Sequence, residues 1–551
     1  MHTYFSGSEQ NVFRAYRNEV GDLKNATNER WVEVIGDIFK GQGLKTAAQK
    51  YEYKAAGNVY KGENVYAVLE APRGDATEAI VLCAAWLNMD GVQNESGVAL
   101  VLALARYFKR WSLWSKDVIF LISADSRAGP QAWVDAYHEL HDPATISSLP
   151  VKSGAIQGVV ALDYPTRNNW ETIHIVYDGI NGQLPNLDLF NTAVHIAGNQ
   201  MGVRANLQEM FTHTDDYRAR LRTMLRGMVN QGLGHATGPH SSFIPYHIDA
   251  VTLQAAGTGW HDELTMGRIV ESLFRSLNNL LEHFHQSFFF YLLLAPRRFV
   301  SIGTYLPSAM LIAVSFTIAA IGHWISTGLP SDSSSAAKPK KRSVSRSRKG
   351  KYGPSSRSRS RSRSPVPPAP EPAAENCREL LQPISIVLLL HLLGTIPLYI
   401  FNNIPPSSQL FHTATATTLS LPLLLSLVIP RKHYPLITTF SLLLLGLFLS
   451  ALATINFSLS FLVGMICAPF SVVDRWTGWA RGWAILLLAA CTPSVGLFAV
   501  ALYWGEQVET VLEEAAFGWG VQGLWTQVVV WGVWWPAWLA TATVVVGGWR
   551  K

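Results

Sequence analysis

Long apolar runs in the second half of the chain are the strongest constraint on its fold. A helix needs about 20 mostly apolar residues to cross a bilayer, because lipid offers no partners for backbone N–H and C=O groups. Hydrophobic residues form 48% of the chain and charged residues only 15%, but residues 1–285 read as an ordinary globular sequence. The sequence therefore predicts a globular domain followed by an all-α, multi-span membrane bundle. Five runs are good spans: Tyr305–Ile325, Ile384–Phe401, Pro435–Ile455, Trp483–Trp504 and Leu524–Gly547.

Two further segments are weaker candidates for spans. Thr413–Ile429 is rich in Thr and contains Pro422, and Phe457–Val473 is short and broken by Pro469. Either could instead be a re-entrant or buried helix. Counting both gives seven spans, with the first span over residues 305–325 and a six-span membrane domain over residues 384–551.

The segment between the first two spans, residues 326–383, carries a strongly basic tract. From Lys338 to Arg363 it contains five Lys, seven Arg and no acidic residue. Such self-repelling charge among Ser and Pro predicts a disordered linker. Ser-Arg repeats also occur in RNA-processing proteins, but no RNA-binding fold accompanies this tract, and we expect no nucleic-acid partner. Because basic loops are retained in the cytosol, we expect the linker to be cytosolic.

The other loops agree with this orientation when seven spans are counted. The loop over residues 505–523 holds four Glu and no Lys or Arg, as expected for the lumenal side. One span separates the basic linker from residues 1–285, so that domain is predicted to be lumenal. The chain begins MHTYFSGSEQ without an apolar run. Either the first span exports the domain that precedes it, or an N-terminal signal anchor is missing, which is the interpretation we favour.

Residues 1–285 alternate between strand and helix patterns. Strands are predicted at Asn64–Glu70, Glu78–Trp86, Asp117–Ser123, Ile156–Leu162 and Thr172–Tyr177. Helices are predicted at Asn94–Arg110, Gln131–Leu140, Leu187–Met201, Asp215–Val229 and Glu263–His285. Several strands are apolar throughout, as expected for strands that are buried on both faces. The pattern predicts an α/β domain with a doubly wound sheet.

The order of these elements resembles the zinc aminopeptidase (exopeptidase) fold, but the metal ligands of that family are mostly lost. Its ligand positions fall here on Asn88, Gln93 and the pair Ser126-Arg127, and only Asp163 and His261 could serve as ligands. One carboxylate and one imidazole cannot hold two zinc ions. We therefore expect no metal, no other cofactor and no catalytic residues. The alternative from another functional class is a membrane-tethered zinc aminopeptidase.

Several motifs are more specific than the fold. GINGQLPNLDLFN at Gly179–Asn191, NFSLSFLVG at Asn456–Gly464 and the long motif over Leu277–Pro307 closely resemble the Gaa-type family of glycosylphosphatidylinositol (GPI) anchor attachment proteins. NVYAVLEAPRGDATEAIVL and WSKDVIFLI also match. The resemblance implies a non-catalytic subunit of the GPI transamidase, located in the endoplasmic reticulum membrane. A separate cysteine-peptidase subunit performs the chemistry, while this subunit binds and presents the GPI glycolipid and holds the complex together.

The resemblance also suggests binding residues. The family's last span carries a proline associated with GPI recognition, which corresponds to Pro536. Trp534, Trp535 and Trp538 surround it and offer broad amphipathic surfaces for a glycolipid. The alternative is an ordinary kinked span with interfacial tryptophans.

Contacts outside the membrane are predicted at two further places. Asn181 and Gln183 are candidate lumenal contacts for the glycan or for a partner subunit. Residues 286–304 are predicted to lie on the membrane surface as an interfacial amphipathic segment. In this interpretation a helix over Leu277–Leu294 couples the domain to the first span.

Overall fold

The α/β part of the molecule is built on an eight-stranded mixed sheet. The computed structural model describes residues 3–208, 210, 213–280, 289–328 and 378–548. The strands follow the order β1-β2-β4-β3-β5-β8-β6-β7 across the sheet. They are β1 (Lys45–Ala55), β2 (Asn58–Leu69), β3 (Glu78–Ala85), β4 (Asp117–Ser123), β5 (Ala155–Asp163), β6 (Trp170–Val176), β7 (Arg204–Leu207) and β8 (Ala250–His261).

The centre of this sheet is parallel. β3 pairs in parallel with β4 and β5, and β5 pairs in parallel with β8. Side chains of β3 alternate between two hydrophobic clusters, so that Ile80 and Leu82 lie on one face and Val81 and Cys83 on the other. Burial on both faces explains why this strand is apolar throughout.

Helices cover both faces of the sheet. α1, α2, α3, α5 and α7 pack against one face, and α4 packs against the other. This arrangement confirms the predicted doubly wound α/β fold. The helices of this part are α1 (Gly7–Asp22), α2 (Asn28–Gly41), α3 (Glu95–Lys109), α4 (Ala128–Tyr137), α5 (Leu187–His195), α6 (Tyr217–Leu233) and α7 (Glu263–Asn278).

The sequence patterns locate the central strands but miss three others. β1 and β7 are the two edge strands, and β1 alternates exposed and buried positions with Lys, Gln and Glu among its residues. β8 lies inside the sheet, but only its first four residues are continuously buried. The hydrophobic signal of a strand depends on burial, so edge strands and partly covered strands are the hardest to predict.

The segment before the first membrane helix differs from the prediction. Residues 281–288 lie outside the described part, and α7 ends at Asn278. The chain then forms an antiparallel hairpin of β9 (Tyr291–Ala295) and β10 (Arg298–Ser301). The helix predicted over Leu277–Leu294 is therefore wrong. Pro296 follows β9 in the turn, and the β9 side chains are buried, with the Tyr291 hydroxyl donating to the Pro185 carbonyl at 3.0 Å.

The second half of the chain is a bundle of apolar helices. They are α8 (Ile302–Ser326), α9 (Leu381–Leu393), α10 (Thr395–Asn403), α11 (Ser408–Val428), α12 (Tyr434–Ile455), α13 (Phe457–Cys467), α14 (Trp479–Ala490), α15 (Pro493–Trp504), α16 (Val508–Val521), α17 (Thr526–Val529) and α18 (Trp535–Gly547). Residues 329–377, which contain the basic tract, lie outside the described residues.

Fewer helices qualify as spans than the seven predicted. Among the described residues, five helices are long and apolar enough to cross a membrane: Ile302–Ser326, Leu381–Asn403, Ser408–Val428, Arg431–Ile455 and Thr526–Gly547. A sixth is present if α14 and α15, which meet at an angle of 53°, form one broken span. The predicted span at Phe457–Val473 is a shorter apolar helix, Phe457–Ser471. Pro469 stands in its last turn, which is a 3₁₀ turn, as the break in the sequence suggested.

Several basic side chains lie at one end of the bundle. Lys432 lies 2.7 Å from Glu379, and the Arg378 guanidinium lies 4.1 Å from the centre of the Trp324 ring. Arg481 donates to the Gly548 carbonyl at the same end. The opposite end of the bundle contacts the α/β domain.

Asn456 forms a buried polar link between the domain and the bundle. Its amide nitrogen donates to the backbone carbonyls of Asn181 at 2.9 Å and of Gln231 at 2.8 Å. Its side-chain oxygen accepts from the Leu459 N–H at 2.9 Å and caps α13. Only 3% of Asn456 is exposed. One buried side chain therefore satisfies groups in two segments of the domain and in one bundle helix.

Helix α16 forms a second link between the bundle and the α/β domain, at the start of β2. The Glu513 carboxylate accepts from the Asn58 amide and from the Tyr60 hydroxyl, both at 2.7 Å. Burial and this carboxylate raise the pKa of Tyr60 to about 12. Phe517 packs edge-on against the Tyr60 ring and belongs to the second hydrophobic cluster of the domain.

The last membrane helix changes its winding in the middle. Val530–Trp534 forms a π turn between α17 and α18, and Pro536 is the second residue after it. Proline has no N–H, so it cannot bond to the carbonyl four residues earlier, and the altered winding lies where this bond is lost. Gly394, between α9 and α10, lies against this turn: a Cβ at Gly394 would come within 2.1 Å of the Trp531 carbonyl oxygen.

We expect Asn456→Ala to lower the free energy of unfolding by roughly 2–4 kcal/mol, because it leaves two buried carbonyls without a donor and removes a helix cap. Thermal unfolding of the purified chain in detergent measures the effect. Asn403→Ala is the control, since the Asn403 amide is exposed and bonds only within its own helix. Equal unfolding temperatures for the two variants would contradict this role.

We expect Gly394→Ala to destabilise the bundle by roughly 1–3 kcal/mol through overpacking against a backbone atom that cannot move freely. Intrinsic helix propensity alone predicts the opposite sign, because Ala is favoured over Gly by about 1 kcal/mol. Gly482→Ala is the matched control, since a Cβ there meets nothing within 4 Å. The same unfolding assay distinguishes the two predictions, and a stabilised Gly394→Ala variant would refute close packing.

Candidate functional site

A cleft of about 900 Å³, which carries charged and polar side chains among apolar ones and is called the polar cleft below, lies between the α/β domain and the bundle. One wall is a face of α6, a second is the loop after β3 with Met89 and Asp90, and the third is the corner between α15 and α16. The residues that α6 contributes to the wall recur every three or four positions, so their side chains lie on one face of the helix. These residues are Arg218, Leu221, Arg222, Leu225, Arg226, Val229 and Asn230.

An apolar cavity of about 390 Å³ lies next to this cleft, among the bundle helices and the end of α6. Residues of α13, α15, α16 and the π turn form most of its wall, and nearly all are aliphatic or aromatic. Gln527 is one of the few polar side chains in the wall. Its amide forms a reciprocal pair with the Asn402 amide at 2.9 and 3.0 Å, so its polar atoms are satisfied away from the cavity.

The cleft and the cavity are adjacent, because they share part of their walls. The shared residues are Val229, His235, Tyr503, Trp504 and Glu514. The centre of the His235 ring lies 4.7 Å from that of the Trp504 ring at this junction. A ligand that fills both spaces would place a polar part against the α/β domain and an apolar part among the bundle helices.

An ion pair closes one side of this junction. The Arg127 guanidinium, which follows β4, donates to the Glu514 carboxylate of α16. The same guanidinium lies 5.3 Å from the centre of the Phe517 ring. Arg127 stands where the aminopeptidase resemblance expects a ligand-bearing pair, and it serves here to hold the bundle against the domain.

The predicted tryptophans divide into two groups. Trp534 lines the apolar cavity, as does Trp531. The indole N–H of Trp534 donates to the Cys491 carbonyl at 3.0 Å, and that of Trp538 donates to the Leu488 carbonyl at 2.7 Å. Trp535 and Trp538 are buried in the core of the bundle. Trp534 is therefore the one of the three that the structure brings to the cavity wall.

Pro536 is buried in the first turn of α18, two residues after the π turn that carries Trp531 and Trp534. Its connection with the cavity is therefore indirect and runs through the winding of the helix. Its role in glycolipid recognition stays a prediction.

Asn181 and Gln183 lie in the turn after β6. The Asn181 side chain accepts from the Trp525 N–H at 2.9 Å and donates to the Gly523 carbonyl at 3.1 Å. These bonds tie the domain to the start of the last membrane helix. Gln183 has an exposed side chain. Their roles as glycan or partner contacts stay predictions.

The positions that match metallopeptidase ligands do not converge. Asp163 is held by the Asn88 amide at 3.2 Å and by the Gln254 amide at 2.9 Å, and burial raises the pKa of Asp163. His261 pairs with Trp170 at the other end of β8, seven residues beyond Gln254. Burial lowers the pKa of His261.

The two remaining positions are also engaged elsewhere. Gln93 donates to the Val20 carbonyl at 3.1 Å and Ser126 donates to the Leu87 carbonyl at 2.8 Å. Within the described residues, no group of three or more His, Cys, Asp and Glu is arranged to hold a metal ion. The donor set found here does not fit a zinc pair.

The sequence alone does not single out several residues of the cleft wall. The arginines of α6 follow a four-residue period that could have marked a charged helical face, but such faces are usually only solvated. His235 carries no such local signal. Its neighbours in the wall come from α15 and α16, more than 250 residues later in the chain, and no local pattern connects them.

Comparison with known proteins places the chain among GPI transamidase components. It is 42% identical over 331 residues to the GPI transamidase component GAA1 of Saccharomyces cerevisiae, covering 59% of this chain and 51% of the relative. It is 33% identical over 460 residues to the GPI transamidase component gaa1 of Schizosaccharomyces pombe, covering 82% of this chain and 71% of the relative. The chain thus spans about half the length of the first relative and more of the second.

Similarity to solved structures is weaker. Fimbriiglobus ruber glutaminyl cyclase is 13% identical with a TM-score of 0.33, covering 50% of this chain and 96% of that one. Legionella pneumophila LapA aminopeptidase is 13% identical with a TM-score of 0.34, covering 50% and 75%. The family described as "Gaa1-like, GPI transamidase component" matches residues 61–542. The chain therefore belongs to the Gaa1-like family of GPI transamidase components.

Proposed function

We propose that this chain is a non-catalytic subunit of the GPI transamidase that binds the GPI glycolipid and presents it for attachment to protein C-termini. The adjacency of the polar cleft and the apolar cavity, which share five wall residues, is the observation that carries the proposal. A GPI glycolipid has a polar glycan and apolar acyl chains, and a site with the same division of polarity suits it. The cysteine-peptidase subunit of the complex would supply the nucleophile.

The shape of the site supports a presenting role. The cavity wall includes residues of two helices that are long enough to span a membrane, Leu381–Asn403 and Thr526–Gly547. Acyl chains would therefore enter it without leaving an apolar environment. The cleft lies at the end of the bundle next to the α/β domain. A lipid held in this way exposes its polar end beyond the membrane, where a neighbouring subunit can reach it.

The scaffolding part of the proposal rests on the rigid link between domain and bundle. Asn456, Asn181 and the glutamates of α16 fix the cleft walls relative to the cavity walls. A ligand that bridges the two parts gains affinity when both are already held in the bound arrangement. The other transamidase subunits are the expected partners, and the predicted surface contact at Gln183 belongs to this proposal.

We place the protein in the endoplasmic reticulum membrane with the α/β domain in the lumen. Arg378, Lys432 and Arg481 lie at the end of the bundle away from the domain. Basic residues are retained on the cytosolic side, which supports this orientation. We keep the predicted domain boundaries in this proposal, except that residues 291–301 form a hairpin.

Pro536→Leu tests the predicted role of the proline. Restoring an N–H at this position favours regular α-helical winding, which would turn Trp531 and Trp534 relative to the cavity. We expect several-fold less GPI lipid to co-purify with the assembled complex, measured by mass spectrometry of extracted lipids. Pro422→Leu is the control, because Pro422 also lies inside a membrane helix but not beside the π turn that carries Trp531 and Trp534. Unchanged lipid recovery with Pro536→Leu would count against this site.

Val500→Trp tests the cavity itself. Val500 belongs to the wall, and a larger side chain there would fill space needed by acyl chains. We expect recovery of GPI lipid to fall about tenfold, which corresponds to about 1.4 kcal/mol of binding free energy. Val495→Trp on the same helix is the control, since Val495 is 43% exposed and outside the cavity wall. Equal lipid recovery from the two variants would remove the cavity from the proposal.

A further inference from the structure

The charged side chains of the polar cleft are of both signs and lie on separate walls. Arg218 and Arg222 stand on the α6 wall, Asp90 on the loop after β3, and Glu506 at the corner of α15 and α16. All four are exposed. Within the described residues, none of the four side chains forms a hydrogen bond or an ion pair. Two positive and two negative groups therefore face one solvent-filled space without satisfying each other.

This charge pattern discriminates between classes of ligand. A simple anion drawn to the arginines also meets two carboxylates, and a simple cation drawn to the carboxylates also meets two guanidinium groups. A zwitterion that carries a phosphate and a primary ammonium matches both signs. Arginine is well suited to phosphate, and an ammonium group donates up to three hydrogen bonds to carboxylates.

The spacing on α6 fits the phosphate of such a ligand. Arg218 and Arg222 are four residues apart, so they are about 6 Å apart along the helix axis and on the same face. Two long side chains at this spacing can converge on a single phosphate group. Arg226, one turn further on, already donates to the Gln208 amide oxygen at 3.3 Å.

The position of this pair along α6 also fits an amphiphile. From Arg218 to Val229 the helix rises about 16 Å. Val229 belongs to both the cleft and the apolar cavity, and a Cβ at Gly232, one turn later, would lie 2.8 Å from Leu462 in the bundle. The face of α6 thus runs from cationic groups outside the bundle to apolar groups at its cavity.

We propose that the polar cleft is a binding subsite for a phosphoethanolamine group, with Arg218 and Arg222 on the phosphate and Asp90 and Glu506 on the ammonium. This inference rests on the proposed function, because it names the part of the glycolipid that the cleft would hold. The same zwitterion occurs as the headgroup of phosphatidylethanolamine, so the lipid source has to be distinguished by experiment.

The test uses the full chain in detergent and soluble probes without acyl chains. Glycerophosphoethanolamine should bind measurably in a calorimetric titration. Glycerophosphocholine, whose ammonium cannot donate hydrogen bonds, and glycerol 3-phosphate, which has no ammonium, should each bind about tenfold more weakly. Equal binding of all three probes, or no binding of glycerophosphoethanolamine, would overturn the proposal.

Variants assign the binding to the residues named. Arg218→Gln with Arg222→Gln should weaken glycerophosphoethanolamine binding at least tenfold. Arg220→Gln is the matched control on the same helix, because Arg220 pairs with Asp215 at 2.8 Å and is not part of the cleft wall. Thermal unfolding of both proteins establishes that they are folded. Equal binding by the double variant and the control would overturn the assignment.

Lipid competition separates the two sources of the headgroup. With the chain in lipid nanodiscs, GPI should compete with glycerophosphoethanolamine at much lower concentration than phosphatidylethanolamine does. The reverse order would overturn the assignment to the glycolipid. If the double variant loses its companion subunits but still binds the probe, the arginine face is a protein-docking surface, and the proposal fails.

The outcome is independent of the test of the proposed function. If GPI co-purifies in a manner sensitive to Val500→Trp but the soluble probe does not bind, only the phosphoethanolamine subsite is refuted. If the probe binds through the arginines but GPI never co-purifies with the complex, the proposed function fails instead.

Discussion

The buried amide of Asn456 is the interaction on which the arrangement of the whole molecule depends. Two carbonyls of the α/β domain lie against the bundle, away from water, and each needs a donor. Asn456 supplies both donors and also caps α13. If these groups were left unsatisfied, the contact between domain and bundle would be unfavourable. With them satisfied, the cleft above and the cavity below become parts of one site.

The site is organised by a change of polarity along a single direction. α6 begins outside the bundle with arginines and ends against α13 with small and apolar residues. The opposite wall changes in the same sense, from Glu506 at the corner to Val511 and Leu512 in the cavity. Water can solvate the first part and not the second. An amphiphilic ligand is the class of molecule whose own polarity matches both.

In the α/β domain, polar groups at the carboxyl ends of the central strands are used for packing and for attachment to the bundle. The carboxyl ends of β3 and β5 meet at the sheet edge where such folds usually hold a ligand. Here the Asp163 carboxylate is occupied by two amides, and the guanidinium of Arg127 is directed to the bundle. Polar groups that could have served chemistry are instead used to complete the core and to attach the membrane part.

Sequence alone determined the class of each half and most of its elements. The buried strands β3, β4 and β5 and the long apolar helices follow from local composition, because burial in a core or a bilayer selects apolar residues in continuous runs. Edge strand β1 and the β9–β10 hairpin were missed, since their conformation depends on pairing and not on their own hydrophobicity. The motifs identified the family, and Trp534 was the one predicted tryptophan that reached the cavity.

Tertiary structure decided which polar residues meet. Asn402 pairs with Gln527 across 125 positions, Asn456 with Asn181 across 275, and Arg127 with Glu514 across 387. No local pattern encodes such distances, because hydrogen bonds and ion pairs form between whichever groups the packing of apolar surfaces brings together. Local composition determines which half of the chain forms membrane helices and which half forms a globular domain. The packing of one half against the other creates the site between them.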